Sequence, residues 1–172
     1  MRVLITGQAQ IPPRIGMGTR MWELGKNIQR LGHEVAFVVS RRSAKEPSFE
    51  MVEGIPVHRV REWRKPSRWL AGFMVPELAF RIARVSKSMH ADVVYAHLEI
   101  GCMAALLAKT FTRVPVVYGY DTLPLGEFIL AGLAKEDSVK ARMVEAIIRF
   151  NLAHSTAVIT ATQHQLELMS SQ

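Results

Sequence analysis

The sequence predicts an α/β domain: a doubly wound parallel sheet with helices on both faces, three layers in all. Three observations lead there. The first forty residues run apolar strand, glycine-bearing loop, amphipathic segment and second apolar strand, the opening of a βαβ unit. Later apolar runs at 92–96, 114–119 and 157–160 alternate with stretches of helical spacing. A chain of 172 residues, 49% hydrophobic and 22% charged, is long enough to bury one sizeable core.

Taken in order, residues 1–7 (MRVLITG) form a strand closed by glycine. Residues 8–18 are a loop holding Pro12, Pro13, Gly16 and Gly18. The spacing of Met21, Leu24, Ile28 and Leu31 predicts a helix over 19–31, which Gly32 stops. Gly25 inside that helix is unfavourable by about 1 kcal/mol against alanine, so close helix–sheet packing is its expected reason. Residues 35–39 form the second strand, and 49–60 a hairpin turning at Glu53-Gly54. A helix is expected over about 75–88, with Pro76 near its start and Leu78, Ile82 and Val85 facing the sheet. An alanine-rich helix follows over 100–111. Residues 127–153 carry a long helical pattern whose charged middle, 134–141, suits one helix or two. Thr162 can cap a terminal helix. The count is about six or seven strands.

Composition excludes several classes. Cys102 is the one cysteine, so no disulfide framework exists within the chain and a reducing compartment is expected. The first residues read as a strand rather than a secretory leader. The longest apolar stretches, near 70–80 and 100–108, fall short of the roughly 20 residues a bilayer-spanning helix needs. These features predict a cytoplasmic protein whose membrane contact, if any, is peripheral. The six histidines show no pair at helical i, i+4 spacing and no nearby cysteine pair, and no D-x-D carboxylates occur; neither metal nor cofactor is expected.

Charge is uneven. The chain carries +7, of which +6 falls between His58 and His90. Within that segment Trp63, Trp69, Leu70, Phe73 and Met74 are interleaved with Arg64, Lys65 and Arg68, a mixture suited to an anionic partner at a lipid headgroup surface. A solvated helix edge with its aromatics in the core is the plainer reading. No helix-turn-helix, zinc-finger or RNA-binding signature is present, so nucleic acid is not an expected partner.

The loop after the first strand invites a nucleotide. A dinucleotide fingerprint needs G-x-G-x-x-G directly after the strand, whereas Gly7 is followed by Gln8-Ala9-Gln10-Ile11-Pro12-Pro13. No G-x-x-x-x-G-K-[ST] phosphate loop exists either. Gly16 and Gly18 still lie between a strand's carboxyl end and a helix N-terminus, where anions bind.

Here a resemblance becomes specific. Pro12-Pro13, the Gly16/Gly18 loop and the run Glu23-Leu24-Gly25-Lys26-Asn27-Ile28-Gln29-Arg30-Leu31-Gly32-His33-Glu34-Val35 resemble the opening of the retaining glycosyltransferases called group 1 or family 4. Asp92-Val93-Val94-Tyr95-Ala96-His97, Val114-Pro115-Val116-Val117-Tyr118 and Ala157-Val158-Ile159-Thr160-Ala161-Thr162 resemble three later strands of the same family, in the same order. Two departures stand out. Met17 separates glycines that are adjacent in the family, and Tyr120-Asp121 stand where the family often has histidine.

The resemblance implies a Rossmann-like domain that is one half of a GT-B fold, the acceptor-side N-terminal half of an enzyme moving a sugar from a nucleotide sugar to an acceptor hydroxyl, which can be lipid-linked. It implies that the donor nucleotide is held mainly by a second, C-terminal domain absent from this chain, so that residues 1–172 alone are an inactive half. The nucleotide sugar is then a co-substrate. The residues it brings forward are Arg14, Gly16, Met17, Gly18, Thr19, His97, Glu99, Tyr118, Tyr120 and Asp121 for donor and acceptor, with Asp121 the catalytic candidate. Trp63, Arg64, Lys65, Arg68 and Trp69 are the candidates for a membrane or other anionic partner. His97 reads equally as a buried histidine or a site wall. The competing readings are a non-catalytic Rossmann-like module for a membrane or nucleic acid, and an NADP-dependent epimerase or reductase domain, for which Arg41-Arg42 after the second strand would suit a 2′-phosphate.

Overall fold

The computed structural model describes residues 1–13, 16–41, 43, 45–61, 71–120, 135 and 138–163. Its strands are β1 (Arg2–Gly7), β2 (Glu34–Arg41), β3 (Phe49–Val52), β4 (Ile55–Arg61), β5 (Val93–His97), β6 (Val116–Tyr120) and β7 (Ala157–Thr160). Its helices are α1 (Met17–Arg30), α2 (Ala71–Ser88), α3 (Glu99–Thr112) and α4 (Val139–His154). The strands form one seven-stranded sheet in the order β3-β4-β2-β1-β5-β6-β7. All neighbours pair in parallel except β3 and β4, an antiparallel hairpin at the edge. Its two-residue turn, Glu53-Gly54, has φ of +47° and +80°, positive at both positions as a tight hairpin turn requires. The expected doubly wound α/β class therefore holds, with one antiparallel edge.

Side chains alternate across the sheet and build two cores. On one face Leu4, Val38, Val94 and Tyr118 meet Leu78, Ile82 and Val85 of α2, Ala104, Ala105 and Ala108 of α3, and Ile148 of α4. Alanines let α3 sit close between its neighbours. On the other face Val3, Ile5, Phe37, Val39, Val57 and Tyr95 meet Met21 and Trp22 of α1. Gly25 answers its expected role: a Cβ there would lie 2.5 Å from Cζ of Phe37.

Several boundaries differ from expectation. Proline favours a first helical turn, which set the expected start of α2 near 75; the helix instead begins at Ala71 and carries Pro76 inside it. β2 runs on to Arg41 because Arg61 of β4 pairs with it there, whatever the polarity of the side chains. Within the charged middle of the long helical pattern, Ser138 caps a helix, its Oγ accepting from the Ala141 amide at 3.2 Å. Residues 121–134, which include the first part of that pattern (127–134), lie outside the described residues, as does nearly all of the segment after Thr162. Among the described residues no helix is long and apolar enough to cross a membrane.

Candidate functional site

In a parallel sheet the strand carboxyl ends and the following helix N-termini share one edge, and ligands bind there. β1 and β5 lie side by side, as do β5 and β6, with His97 opposite Gly119. This brings Gly7, His97, Tyr118, Tyr120, the start of α1 and the start of α3 to a common edge from distant parts of the chain. Two glycines make the approach possible: Gly7, which closes the first strand, and Gly101, which pattern alone did not single out. A Cβ on Gly7 would lie 3.0 Å from the His97 carbonyl oxygen, and one on Gly101 would lie 3.0 Å from the Gly7 Cα.

At the entry to α1, Gly16 is the N-cap residue, with φ +68° and ψ −136°. That backbone favours glycine, and open space surrounds the missing Cβ. The amide of Thr19 donates to the Gly16 carbonyl at 3.0 Å, and Thr19 itself is exposed. No described side chain caps this helix and its first turn holds no acid, so its partial positive charge is not locally offset. Gly18 is different. It is buried, and a Cβ there would lie 2.8 Å from the Gln10 carbonyl oxygen, so packing of the loop alone requires glycine.

At the entry to α3, His97 is buried, 1% exposed, and its ring stacks beside Tyr95. Leu98 follows with φ +64° and ψ +169°, then Glu99 opens the helix. The Tyr118 hydroxyl donates to Oε1 of Glu99 at 3.3 Å. Asn151 of α4 donates through Nδ2 to the Glu99 carbonyl at 3.0 Å. The Ser155 hydroxyl donates to the Asn151 carbonyl at 2.7 Å and lies 3.4 Å from Sγ of Cys102. Burial, and next the charge of Glu99, push the phenols of Tyr118 and Tyr120 upward, so both remain neutral. Tyr118 and Tyr120 meet edge to face, with ring centroids 5.8 Å apart.

Arg14 and Asp121 lie outside the described residues, as do Trp63, Arg64, Lys65, Arg68 and Trp69. Two members of the basic segment depart from the reading of an exposed anionic-partner face. Met74 is buried in the core. Arg59 is also buried, its guanidinium donating to the carbonyls of Ile11 and Pro47 and to Glu50. Its contact with Ile11, at 2.6 Å, ties the loop before α1 to the hairpin. Sequence spacing gave no signal for that role, because 48 residues separate the partners. Among the described residues no group of three His, Cys, Asp or Glu side chains is placed to hold a metal ion.

Residues 16–172, nearly the whole chain and all the edge geometry from Gly16 onward, match the family model of the glycosyl transferase 4-like domain. The chain belongs to that family. It is 31% identical over 125 residues to the alpha-monoglucosyldiacylglycerol synthase of Acholeplasma laidlawii, a match covering 71% of this chain and 30% of that protein. The chain thus matches less than a third of the length of this curated relative. The fold superimposes on a sucrose-phosphate synthase from Thermosynechococcus elongatus with a TM-score of 0.78 at 11% identity, covering 99% of this chain and 44% of that one. It also superimposes on MurG of Acinetobacter baumannii with a TM-score of 0.58 at 13% identity, covering 93% and 41%. At such identities the likeness is one of fold. Within the glycosyl transferase 4-like domain, the run Glu23–Val35 that carried the resemblance is the outer part of α1 and the start of β2, away from the carboxyl edge. It builds the scaffold, while α1's first turn, Glu99 and Tyr120 lie at the carboxyl edge.

Proposed function

We propose that this chain is the acceptor-side half of a GT-B glycosyltransferase that moves a sugar from a nucleotide-sugar donor to an acceptor hydroxyl. The observation carrying this reading is the convergence, at one sheet edge, of the α1 N-terminus, which no described side chain caps, with the Glu99 carboxylate. The N-terminus of α1 suits developing negative charge on the donor phosphates, and Glu99 suits an acceptor hydroxyl as hydrogen-bond acceptor. The donor-binding half then belongs to a second domain, in keeping with the share of its relatives that this chain spans. No resident cofactor is part of the proposal.

The Acholeplasma relative, an alpha-monoglucosyldiacylglycerol synthase, supports a lipid acceptor. We extend the reading to a cytoplasmic protein docked peripherally on anionic lipid through Arg64, Lys65 and Arg68 with Trp63 and Trp69. Arg59 contributes nothing to such docking, because its charge is spent inside the fold. Each cation at an anionic surface is worth about 1 kcal/mol, and three together suit reversible attachment.

The test has two arms. The enzyme containing this domain is incubated with a panel of nucleotide sugars and a diacylglycerol acceptor, and residues 1–172 are assayed beside it. Transfer by the enzyme and none by the isolated chain is expected; robust turnover by the chain alone overturns the half-enzyme reading. In the second arm the protein is sedimented with neutral and anionic vesicles. Recovery with anionic vesicles only, falling as salt rises and lost when Arg64, Lys65 and Arg68 become glutamine, is expected; equal recovery with both vesicle types removes the membrane.

A further inference from the structure

Leu98 stands between His97 and Glu99 at φ +64° and ψ +169°. This is a region of backbone space that only glycine enters without cost, and other residues remain in it only where surrounding contacts over-determine them. The contacts are visible. The Cys102 amide donates to the Leu98 carbonyl at 2.9 Å. Gly101 packs on Gly7. Asn151 donates to the Glu99 carbonyl from α4, 52 residues along the chain, and Tyr118 holds one oxygen of the Glu99 carboxylate.

Asn151 is 0% exposed, on a helix whose other buried positions are Ala141 and Ile148. An amide in an apolar layer is unfavourable unless hydrogen-bonded, and for packing alone a leucine would serve better. Here Nδ2 of the amide donates to the turn that carries a candidate site residue, and the Ser155 hydroxyl donates to the main-chain carbonyl of Asn151 at the end of α4.

We propose that Asn151 is a positioning residue: it locks the strained His97–Leu98–Glu99 turn and thereby aims the Glu99 carboxylate at the acceptor hydroxyl. This rests on the glycosyltransferase reading above. Asn151 touches no substrate. It acts through the backbone of Glu99, so its loss is felt at the acceptor and not at the donor phosphates, which the reading assigns to α1.

The experiment uses the full-length enzyme and the variants Asn151→Leu and Leu98→Gly. Both substrates are varied in steady-state kinetics, and amide hydrogen exchange is followed at Cys102. Misplacing a reacting group by an ångström costs on the order of 100-fold, so Asn151→Leu is expected to lower kcat/KM for the acceptor by about 10- to 100-fold, with the donor KM changed less than about 2-fold. Exchange at Cys102 is expected to quicken about 10-fold or more. Leu98→Gly relieves the backbone strain and so offsets the loss of a half-buried side chain, so the melting temperature is expected to change little while acceptor kcat/KM falls. Unchanged Cys102 exchange in Asn151→Leu overturns the clamp, even in a protein that transfers no sugar, which separates this failure from failure of the glycosyltransferase reading. Equal losses toward donor and acceptor overturn the aim at the acceptor. A stable Leu98→Gly enzyme with wild-type acceptor kcat/KM shows the strain to be structural only and overturns the proposal as well.

Discussion

The guanidinium of Arg59 lies 2.7 Å from the carboxylate of Glu50 across the edge hairpin, yet the Arg59 side chain is 3% exposed and that of Glu50 45%. One partner is inside the fold and the other reaches into water. Arg59 also satisfies the carbonyls of Ile11 and Pro47. Replacing it by leucine leaves those carbonyls without their donor, whereas neutralising Glu50 removes only a half-solvated contact. Arg59→Leu should therefore lower unfolding free energy by about 2–4 kcal/mol, and Glu50→Gln by less than about 1 kcal/mol. Equilibrium urea unfolding measures both. A freely exposed arginine would give no change.

The second prediction concerns Gly25 and Phe37. Alanine is intrinsically the better helix former by about 1 kcal/mol. At this site its methyl would meet the Phe37 ring at 2.5 Å and 2.9 Å, so one element must move. Gly25→Ala should be net destabilising by about 1–3 kcal/mol, as over-packed cores are. Adding Phe37→Leu should recover part of that loss, giving a coupling energy of opposite sign in a double-mutant cycle. Additive losses would show that the ring is not the obstacle.

Gly16 makes a third case, where space and backbone disagree. A side chain there would meet nothing within 4 Å, yet φ is +68°. Gly16→Ala should cost about 1–2 kcal/mol by strain alone. D-Alanine introduced by chemical ligation finds the same backbone ordinary and should raise stability by about 0.4–1 kcal/mol through the unfolded state. Thermal melts of the two epimers separate backbone from bulk. Turnover of the D-alanine protein then reports whether a ligand approaches this glycine.

The fourth prediction follows from Cys102. Burial pushes its thiol up from 9.0 to about 12, with Ser155 opposing and Glu99 adding to the rise. In the unfolded chain the thiol ionises near its ordinary value, while the folded protein retains the proton. The contribution to stability is thus fully present below about pH 9 and is lost as pH rises from there toward 12. Unfolding free energy should fall across that window, and fall less in Cys102→Ala after allowance for the lost side chain. At pH 8 iodoacetamide should label Cys102 in urea and leave it unmodified in the native protein.

Local pattern along the chain accounts for much of the fold. Helical spacing marked α1, apolar runs marked the strands, Glu53-Gly54 marked the hairpin, and Gly25 inside a helix pointed to close helix–sheet packing, which the structure places against Phe37. The order of these pieces also carried the family, and the glycine loop before α1 marked the edge where a site belongs. The tertiary structure alone decided which polar groups are available there. It placed the Arg59 charge inside, packed Gly18 against Gln10, buried Met74, set Pro76 within a helix and brought the Asn151 amide to Glu99. The physical reason is common to these cases. Burial and hydrogen bonding depend on partners tens of residues away, and no spacing along the chain encodes what a parallel sheet will set beside a given side chain.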